Sequence, residues 1–284
     1  MTVQTSKGSP EETNYDWLNP KEGWHVLHLF YQIDHAQWSM LNDDEQLEAK
    51  TELSRLIQQI RSTDETQMLT FSIVSPKADI AFMMLTPDLH TANRYEKKIT
   101  KALGPDILTP CFSYLSLTET GEYMTSPDDY AAETLKGEEG LDENSDEFKR
   151  SLEEFTQRIE KYSRDKLYPN LPDWPVFCFY SMGKRRGEVN NWYALDFATR
   201  KKLMAAHGRV GRQWHGKIRQ LITGSIGLDE SEWGVTLFSK DTYDIKEIVY
   251  RMRFDEVTVK YGEFGDFYIG IQLPLDELFR RVGL

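Results

Sequence analysis

The sequence predicts an α+β protein in which two ferredoxin-like units follow one another in tandem within one chain. From Gly23 to Thr120 the predicted elements follow the order β-α-β-β-α-β, and the same order starts again at Val176. A polar, acidic stretch separates the two units. Because each sheet has an apolar face to cover, we expect the two sheets to face one another around a common barrel-like core.

The first unit, residues 21–120, begins with the run WHVLHLFYQI, which alternates and is rich in aromatic and branched residues, as strands are. DDEQLEAKTELSRLIQQIRS predicts a helix with an acidic first turn. MLTFSIV and ADIAFMML predict two strands, LHTANRYEKKITKALG a second helix, and CFSYLSLTET a fourth strand. The apolar stripe predicted for the first helix comprises Leu47, Leu53, Ile57 and Ile60.

Two stretches lie outside the units. Residues 1–20 predict a polar N-terminal arm that becomes ordered only against a partner surface, with Tyr15 and Trp17 as candidate anchors. Residues 121–170 predict an acidic connector followed by a helix. The connector, up to about Glu147, is rich in Gly, Pro, Asp and Glu and is expected to be solvated. The helix is FKRSLEEFTQRIEKYSRDKLYP, and NLPDWP then turns the chain into the second unit.

The second unit, residues 171–284, repeats the first. VFCFYSM predicts a strand, LDFATRKKLMAAHG a helix, and HGKIRQLITG and EWGVTLFS two strands. TYDIKEIVYRMR predicts a helix and FDEVTVKYGEF a strand, which completes the second β-α-β-β-α-β series. A last strand, DFYIGIQL, and a short helix, LDELFRRVGL, are expected to end the chain.

Composition restricts the class of protein. The formal net charge is −12, from 34 Lys and Arg against 46 Asp and Glu, which argues against a nucleic-acid partner. The two cysteines, Cys111 and Cys178, suggest neither a disulfide framework nor a metal motif, so a reducing compartment is expected. No signal peptide and no apolar run of about 18 residues is present, so we expect a soluble, unprocessed, cytoplasmic protein without a membrane span.

His207 is the first candidate for chemistry. It ends a helix predicted from Leu195, with Gly208 as the expected left-handed cap. Two interpretations remain open at this point. A cationic histidine at a helix C-terminus is stabilised by the helix dipole and needs no ligand. Alternatively, it binds a metal. No set of His, Cys, Asp and Glu has the spacing of a zinc or non-haem iron site, whereas haem requires only a single axial histidine.

Four further side chains form the candidate pocket. Tyr180, Met182 and Lys184 have the same parity on their predicted strand, so they are expected on one face. The strand could instead end at Met182, which would leave Lys184 in the basic turn KRRGEVNN. Gln220 lies between Ile218 and Ile222 on an expected buried face. Its amide needs a hydrogen-bond partner there, either a neighbouring backbone group or a ligand.

A series of motifs in the second unit resembles a known family. It consists of YxMxKxR from Tyr180, NNWY from Asn190, HG at His207, GKxxQxITGSxGxDxxEWGVTLFS from Gly216, and YxMRFDEVxxxYGEFGxFYxG from Tyr250. Together these motifs resemble the chlorite-dismutase-like haem proteins, and specifically the coproheme decarboxylases. Looser similarity covers residues 23–120.

The resemblance implies a dimeric α+β barrel within one subunit, five such subunits in a homopentamer, and a porphyrin in the second half. It implies that His207 is the proximal iron ligand and that Tyr180 forms a radical. It implies that Lys184 lies beside the second reactive propionate. Gln220 takes the distal position where chlorite dismutases have an arginine. The other residues that the resemblance implies as porphyrin contacts are Met182, Thr258 (where a serine is usual) and a basic anchor, Arg164 or Lys166.

The implied activity is oxidative decarboxylation in haem biosynthesis. Hydrogen peroxide would convert two propionates of iron coproporphyrin III, which is both substrate and redox centre, to the vinyl groups of haem b. A transient contact with the iron-inserting chelatase is also implied. We expect His207 to hold the iron without a carboxylate partner. The alternatives are a chlorite dismutase or haem peroxidase, and a non-catalytic haem carrier or sensor, which would need His207 but not Tyr180.

Overall fold

A computed structural model describes residues 18–284 of the chain. The candidate anchors Tyr15 and Trp17 lie outside these residues. The strands are β1 His25–Ile33, β2 Gln67–Ile73, β3 Ile80–Thr86, β4 Leu108–Thr118, β5 Val176–Lys184, β6 Ile218–Gly224, β7 Trp233–Ser239, β8 Gly262–Phe264 and β9 Tyr268–Gln272. The helices are α1 His35–Met40, α2 Asp43–Arg61, α3 Leu89–Lys101, α4 Pro127–Asp129, α5 Asp146–Leu167, α6 Phe197–Arg212, α7 Thr242–Met252, α8 Glu256–Tyr261 and α9 Leu275–Val282. A π-helix, Tyr130–Glu138, continues α4, and a 3-10 helix, Trp192–Ala194, precedes α6.

The strands form one antiparallel sheet that closes on itself. Its order is β7-β6-β4-β1-β3-β2-β9-β5-β8, and a further pairing between β7 and β5 completes the barrel, with β8 attached outside the ring to β5. The two units share one strand order, β4-β1-β3-β2 and β9-β5-β7-β6, and in the second unit β9 rather than β8 takes the place of the fourth strand. The predicted tandem of ferredoxin-like units in one α+β barrel is therefore confirmed.

Side-chain alternation along the strands divides the apolar residues between the barrel interior and two outer faces. The interior contains Val26, Phe30, Phe71, Phe177, Phe179 and Phe238. Helices α2, α3 and α9 pack on the outer face of the first unit against Tyr31, Phe82, Met84 and further buried residues. The outer face of the second unit has a smaller buried cluster: Cys178, Tyr180, Ile218, Val235, Leu237, Ile245 and Ile248.

Helix α2 begins with a capping box in which Asn42 and Glu45 satisfy each other's backbone N–H groups. Leu53, Ile57 and Ile60 are buried as predicted, together with Leu56. The prediction for Leu47 is wrong, because this side chain is 62% exposed. It precedes Leu53 by six residues, which at 3.6 residues per turn puts it about 120° away from the buried stripe.

The connector is more structured than its composition predicted. α4 and the π-helix give residues 127–138 a continuous helical course. Leu135 is fully buried, and the Tyr130 ring stacks on Phe155 of α5 with centroids 3.9 Å apart. The composition did not indicate this helix, but apart from Leu135 residues 127–138 remain exposed or half-buried, as a solvated connector would be. A few well-spaced apolar side chains find a partner helix, although the average composition is polar.

Two boundaries in the second unit also differ from the predictions. α6 continues through His207 and Gly208 to Arg212, so Gly208 is not a left-handed cap. The expected strand FDEVTVKYGEF forms α8 and the short β8 instead. The reason is Asp255, whose side chain accepts a hydrogen bond from the backbone N–H of Thr258 and so caps α8. This cap outweighs the strand propensity of the β-branched residues. Among residues 18–284, no helix is long and apolar enough to cross a membrane.

Candidate functional site

The candidate site lies on the outer face of the second unit. In the sheet register, Cys178 and Gln220 both pair with Leu237, and Tyr180 and Ile222 both pair with Val235. Directly paired residues point to the same side of a sheet. The parity argument for Tyr180, Met182 and Lys184 is therefore met, and Gln220 belongs to the same face.

Helix α6 lies over this face but is not packed tightly against it. None of its sixteen residues is buried, whereas α2 buries four side chains. A methyl group on Gly211 of α6 would lie 3.5 Å from the amide nitrogen of Gln220. Because His207 precedes Gly211 by one turn, it lies on the side of α6 that faces the sheet. Gln220 is exposed and Ile222 is 40% exposed, so apolar and polar surface remains available beneath the helix.

His207 has a carboxylate partner. Its Nδ1 lies 3.0 Å from Oδ2 of Asp255. An ionised carboxylate can only accept, so Nδ1 donates and Nε2 is left as the nitrogen that can bind a metal. The expectation of a histidine without a carboxylate partner is therefore wrong. The interpretation of His207 as a residue stabilised at a helix terminus is wrong as well, since α6 runs past it.

Asp255 is a site residue that the sequence did not predict, and Thr258 is in contact with it. The backbone N–H of Thr258 donates to Oδ1 of Asp255 at 3.0 Å, and its hydroxyl donates to Oδ2 at 2.9 Å. Burial raises the pKa of Asp255, but the hydrogen bonds from His207 and Thr258 outweigh it, so the pKa is lowered. The carboxylate is thus held ionised beside His207. The only local signal for Asp255 was its suitability as a helix cap.

Lys184 is a buried cation. It belongs to β5, paired with Gly262, so the alternative of a strand ending at Met182 is wrong. The residue is 7% exposed, and its ammonium lies 4.7 Å from the centre of the Trp192 ring. Burial lowers the pKa of Lys184 to about 8, against the opposing charges of Asp255 and Glu232. Within the described chain no carboxylate forms an ion pair with it, which leaves the charge available to an anionic ligand.

Tyr180 is a buried phenol in an aromatic environment. It is 6% exposed, and its ring stacks on Phe267 at 4.4 Å and lies 5.8 Å from Phe264. Burial, and secondly Cys178, raise the pKa of Tyr180 well above its ordinary value, while Arg253 opposes this. The side chain is therefore a neutral phenol at physiological pH. Met182 packs against the same cluster, partly buried.

Gln220 itself is exposed, contrary to the prediction, although Cys178 and Ile218 on the same face are buried. Gln220 lines a small cavity of about 80 Å³ together with Lys166 and Ile222. Lys166 lies in the last turn of α5, where burial lowers its pKa and the charge of Glu119 opposes this. Its ammonium would be 3.6 Å from a methyl group on Gly121, just after β4. Arg164 is exposed and does not line this cavity.

The two lysines lie at opposite edges of the face. Lys184 is on β5, and Lys166 lies beside the end of β4, with β7 and β6 between them. Three strand spacings amount to about 14 Å. The structure therefore brings Tyr180, Met182, Lys184, His207 and Gln220 to one face, with Thr258 joined through Asp255. In chemical terms, the face combines one free imidazole nitrogen, a cation at each edge and a buried phenol.

Comparisons with known proteins agree with this architecture. Residues 46–273 match the family described as chlorite dismutase. A novel heme-binding protein from Thermus thermophilus is similar with 35% sequence identity and a TM-score of 0.76, over 93% of this chain and 96% of that chain. A variant of the chlorite dismutase from Candidatus Nitrospira defluvii has 16% identity and a TM-score of 0.69, over 93% of this chain and 97% of that chain. At this low identity the second likeness concerns the fold alone.

Proposed function

This chain belongs to the chlorite dismutase family, and we propose that it binds an iron porphyrin between α6 and the outer face of the second unit. We further propose that it uses hydrogen peroxide to decarboxylate two propionates of iron coproporphyrin III, which yields haem b. The observation that carries this proposal is the shared face of Tyr180, Lys184 and Gln220 beneath the helix that bears His207.

The donor chemistry fits an iron porphyrin. A porphyrin already supplies four nitrogen ligands, so the protein needs to add a single axial donor. Nε2 of His207 is such a donor, and the hydrogen bond from Nδ1 to Asp255 fixes the orientation of the ring. The absence of buried residues on α6 supports a flat ligand between this helix and the sheet.

Carboxylate groups on the ligand match the cations on this face. Lys184 at one edge has no ion-pair partner among the described residues, and Lys166 lies at the other edge. A buried ammonium binds a carboxylate strongly because little water competes. We propose Lys166 over the exposed Arg164 as the basic anchor. Met182 and Thr258 are proposed to contact the propionates that are retained, for which the Thr258 hydroxyl must turn away from Asp255.

When bound, the iron porphyrin supplies the redox chemistry with peroxide as the oxidant, and its propionates are the reacting groups. Tyr180 is a neutral phenol, so it must release a proton together with the electron that it gives up. The oxidised Tyr180 would then take a hydrogen atom from the propionate side chain and return to a phenol. Loss of a second electron from that side chain to the peroxide-derived oxidant, with release of carbon dioxide, would leave the vinyl group. Lys184 holds the second reacting carboxylate near it. Gln220 is neutral and cannot supply the charge of an arginine for holding chlorite, which favours decarboxylation over chlorite dismutation.

The remaining proposals concern the whole protein. We propose that the subunits assemble as a homopentamer in the cytoplasm and receive their porphyrin through a transient contact with the iron-inserting chelatase. Residues 21–120 and 171–284 are the proposed domain boundaries of the two halves. The strand orders of the two units support this division.

The decisive experiment is a stepwise titration of the protein and iron coproporphyrin III with hydrogen peroxide, followed by mass spectrometry. Two successive losses of a carboxyl group support the proposal, whereas bleaching without vinyl products contradicts it. Oxygen release from chlorite would indicate a chlorite dismutase instead. Tyr180→Phe should retain binding and lose product, while the exposed Tyr243→Phe serves as the control. Binding without any turnover would indicate a carrier or sensor.

A further inference from the structure

Helix α6 bears His207, yet none of its own residues is fully buried. A helix on a sheet is normally held by an apolar stripe, as α2 is held by Leu53, Leu56, Ile57 and Ile60. Leu203 and Met204 of α6 are only partly buried where they pack on the cluster of Trp192, Val257 and Tyr261, so further contacts are needed to fix the helix. They come in part from the connector that follows β4.

Arg200, near the start of α6, makes hydrogen bonds to the connector. Its Nε donates to the hydroxyl of Tyr123 at 3.0 Å, and its Nη2 donates to Glu122 at 3.2 Å. Its Nη1 donates to the carbonyl oxygen of Leu195, just before the helix, at 2.7 Å. One guanidinium thus joins the start of α6 to two consecutive residues of the connector. Because the guanidinium is planar and rigid, three donors in this arrangement also fix direction.

Lys201 and the Tyr123 ring extend this contact. The ammonium of Lys201 lies 3.9 Å from both Asp129 and Glu133, one on α4 and one on the π-helix. The ring of Tyr123 lies 5.6 Å from that of Phe197 and packs on the cluster around Trp192. Acidic side chains of the connector therefore meet two adjacent basic residues near the start of α6, Arg200 and Lys201.

The connector is itself anchored on its other side. Leu135 is fully buried, and the ring of Tyr130 is nearly parallel to that of Phe155 on α5, at 7°. A segment fixed to α5 by apolar contacts and to α6 by charged groups can transmit the position of one helix to the other.

We propose that residues 122–138 form a clasp that positions α6 and, through α6, the His207 imidazole. This role rests on the proposed function only for the identity of the ligand that His207 binds. The clasp makes Arg200 and Glu122 positioning residues, about two helical turns from His207, that touch no substrate. A simple solvated salt bridge is the competing explanation, since exposed ion pairs contribute little individually. A clasp differs from it because the charged contacts converge on one helix that has no fully buried residue of its own.

The first test uses the protein without porphyrin. Hydrogen exchange of the α6 amides is measured for wild type, Arg200→Gln, Glu122→Gln and the double variant. Lys202→Gln, which removes an exposed charge from the same helix, is the matched control. We expect α6 exchange about threefold to fivefold faster in Arg200→Gln. Glu122→Gln should have a smaller effect, since the hydrogen bonds of Arg200 to Tyr123 and Leu195 remain, and the double variant should match Arg200→Gln. Equal exchange in Arg200→Gln and Lys202→Gln overturns the clasp.

The second test measures dissociation of bound iron coproporphyrin III from the same proteins at about 0.05 M and about 0.5 M salt. Salt should accelerate dissociation from wild type and Lys202→Gln more than from Arg200→Gln, whose charged contacts are already lost. An identical salt effect in all proteins overturns the positioning role. If wild type binds no porphyrin, the proposed function fails, but the exchange experiment still decides whether the clasp exists.

Discussion

The His28 imidazole is enclosed in the barrel interior, and this predicts a specific loss of stability in acid. The residue is fully buried, its Nε2 lies 2.9 Å from the hydroxyl of Thr236, and its ring centroid is 4.1 Å from that of Phe179. Nδ1 is buried without a hydrogen-bond partner among the described residues. Burial lowers the pKa of His28 from 6.5 to about 3, because a charged imidazole would lose its hydration there.

The size and direction of the effect follow from this difference. The unfolded chain binds a proton at His28 below pH 6.5, but the folded protein does so only near pH 3. The free energy of unfolding therefore falls as the pH drops from 6.5 towards 3. Each pH unit in this window costs about 1.4 kcal/mol, so the loss is about 2 kcal/mol at pH 5 and about 5 kcal/mol near pH 3.

Urea unfolding of the porphyrin-free protein at pH 7 and pH 5 measures this effect. His28→Phe should be about 1 kcal/mol less stable at pH 7, since the Thr236 hydroxyl loses its partner. The free energy of unfolding of this variant should fall between pH 7 and pH 5 by about 2 kcal/mol less than that of wild type. The exposed His215→Gln is the control and should behave as wild type. An equal pH dependence for wild type and His28→Phe would refute the reasoning.

Three further changes have defined outcomes. Lys184→Met should stabilise the porphyrin-free protein at pH 7 by up to about 3 kcal/mol in a urea titration. The reason is that folding lowers the pKa of Lys184 from 10.5 to about 8 and so penalises its charged form. This gain in stability should vanish as the pH rises towards 10.5. The same variant should bind iron coproporphyrin III more weakly. A free energy of unfolding equal to that of wild type would contradict the argument that Lys184 is a buried cation. Gly23→Ala should destabilise the protein by about 1–3 kcal/mol more than Gly140→Ala. Both glycines have positive φ, at 77° and 65°, but only a Cβ at Gly23 would overlap a backbone carbonyl of β4. Equal melting temperatures of the two variants would reject the steric explanation. Asp255→Asn should weaken the proposed ligation of iron by His207 about 10-fold to 100-fold in a spectroscopic titration, since the ring loses its ionised acceptor. An unchanged affinity would show that the carboxylate is dispensable.

Local patterns in the sequence determined most of the element order, apart from the connector helices and α8, and the composition of one face. The alternation within β5 identified Tyr180, Met182 and Lys184 as neighbours on one side, and the repeated β-α-β-β-α-β series predicted the tandem units. These features depend on the side-chain period, which is two residues in a strand and 3.6 residues in a helix and can be read directly from the sequence. The motifs of the second unit likewise predicted the family to which the chain belongs.

Tertiary packing decided the rest. Leu135 is buried, and the Tyr130 ring stacks on Phe155 because α5 offers it an aromatic partner, which no property of the acidic connector reveals. The end of α6 and the formation of α8 each depend on competition between local propensity and capping, and the Asp255 cap prevailed in α8. Asp255 reaches His207 across 48 residues of sequence. A hydrogen bond between groups so far apart in the chain has no local period, so it exists only once the barrel has closed and brought α6 against the start of α8.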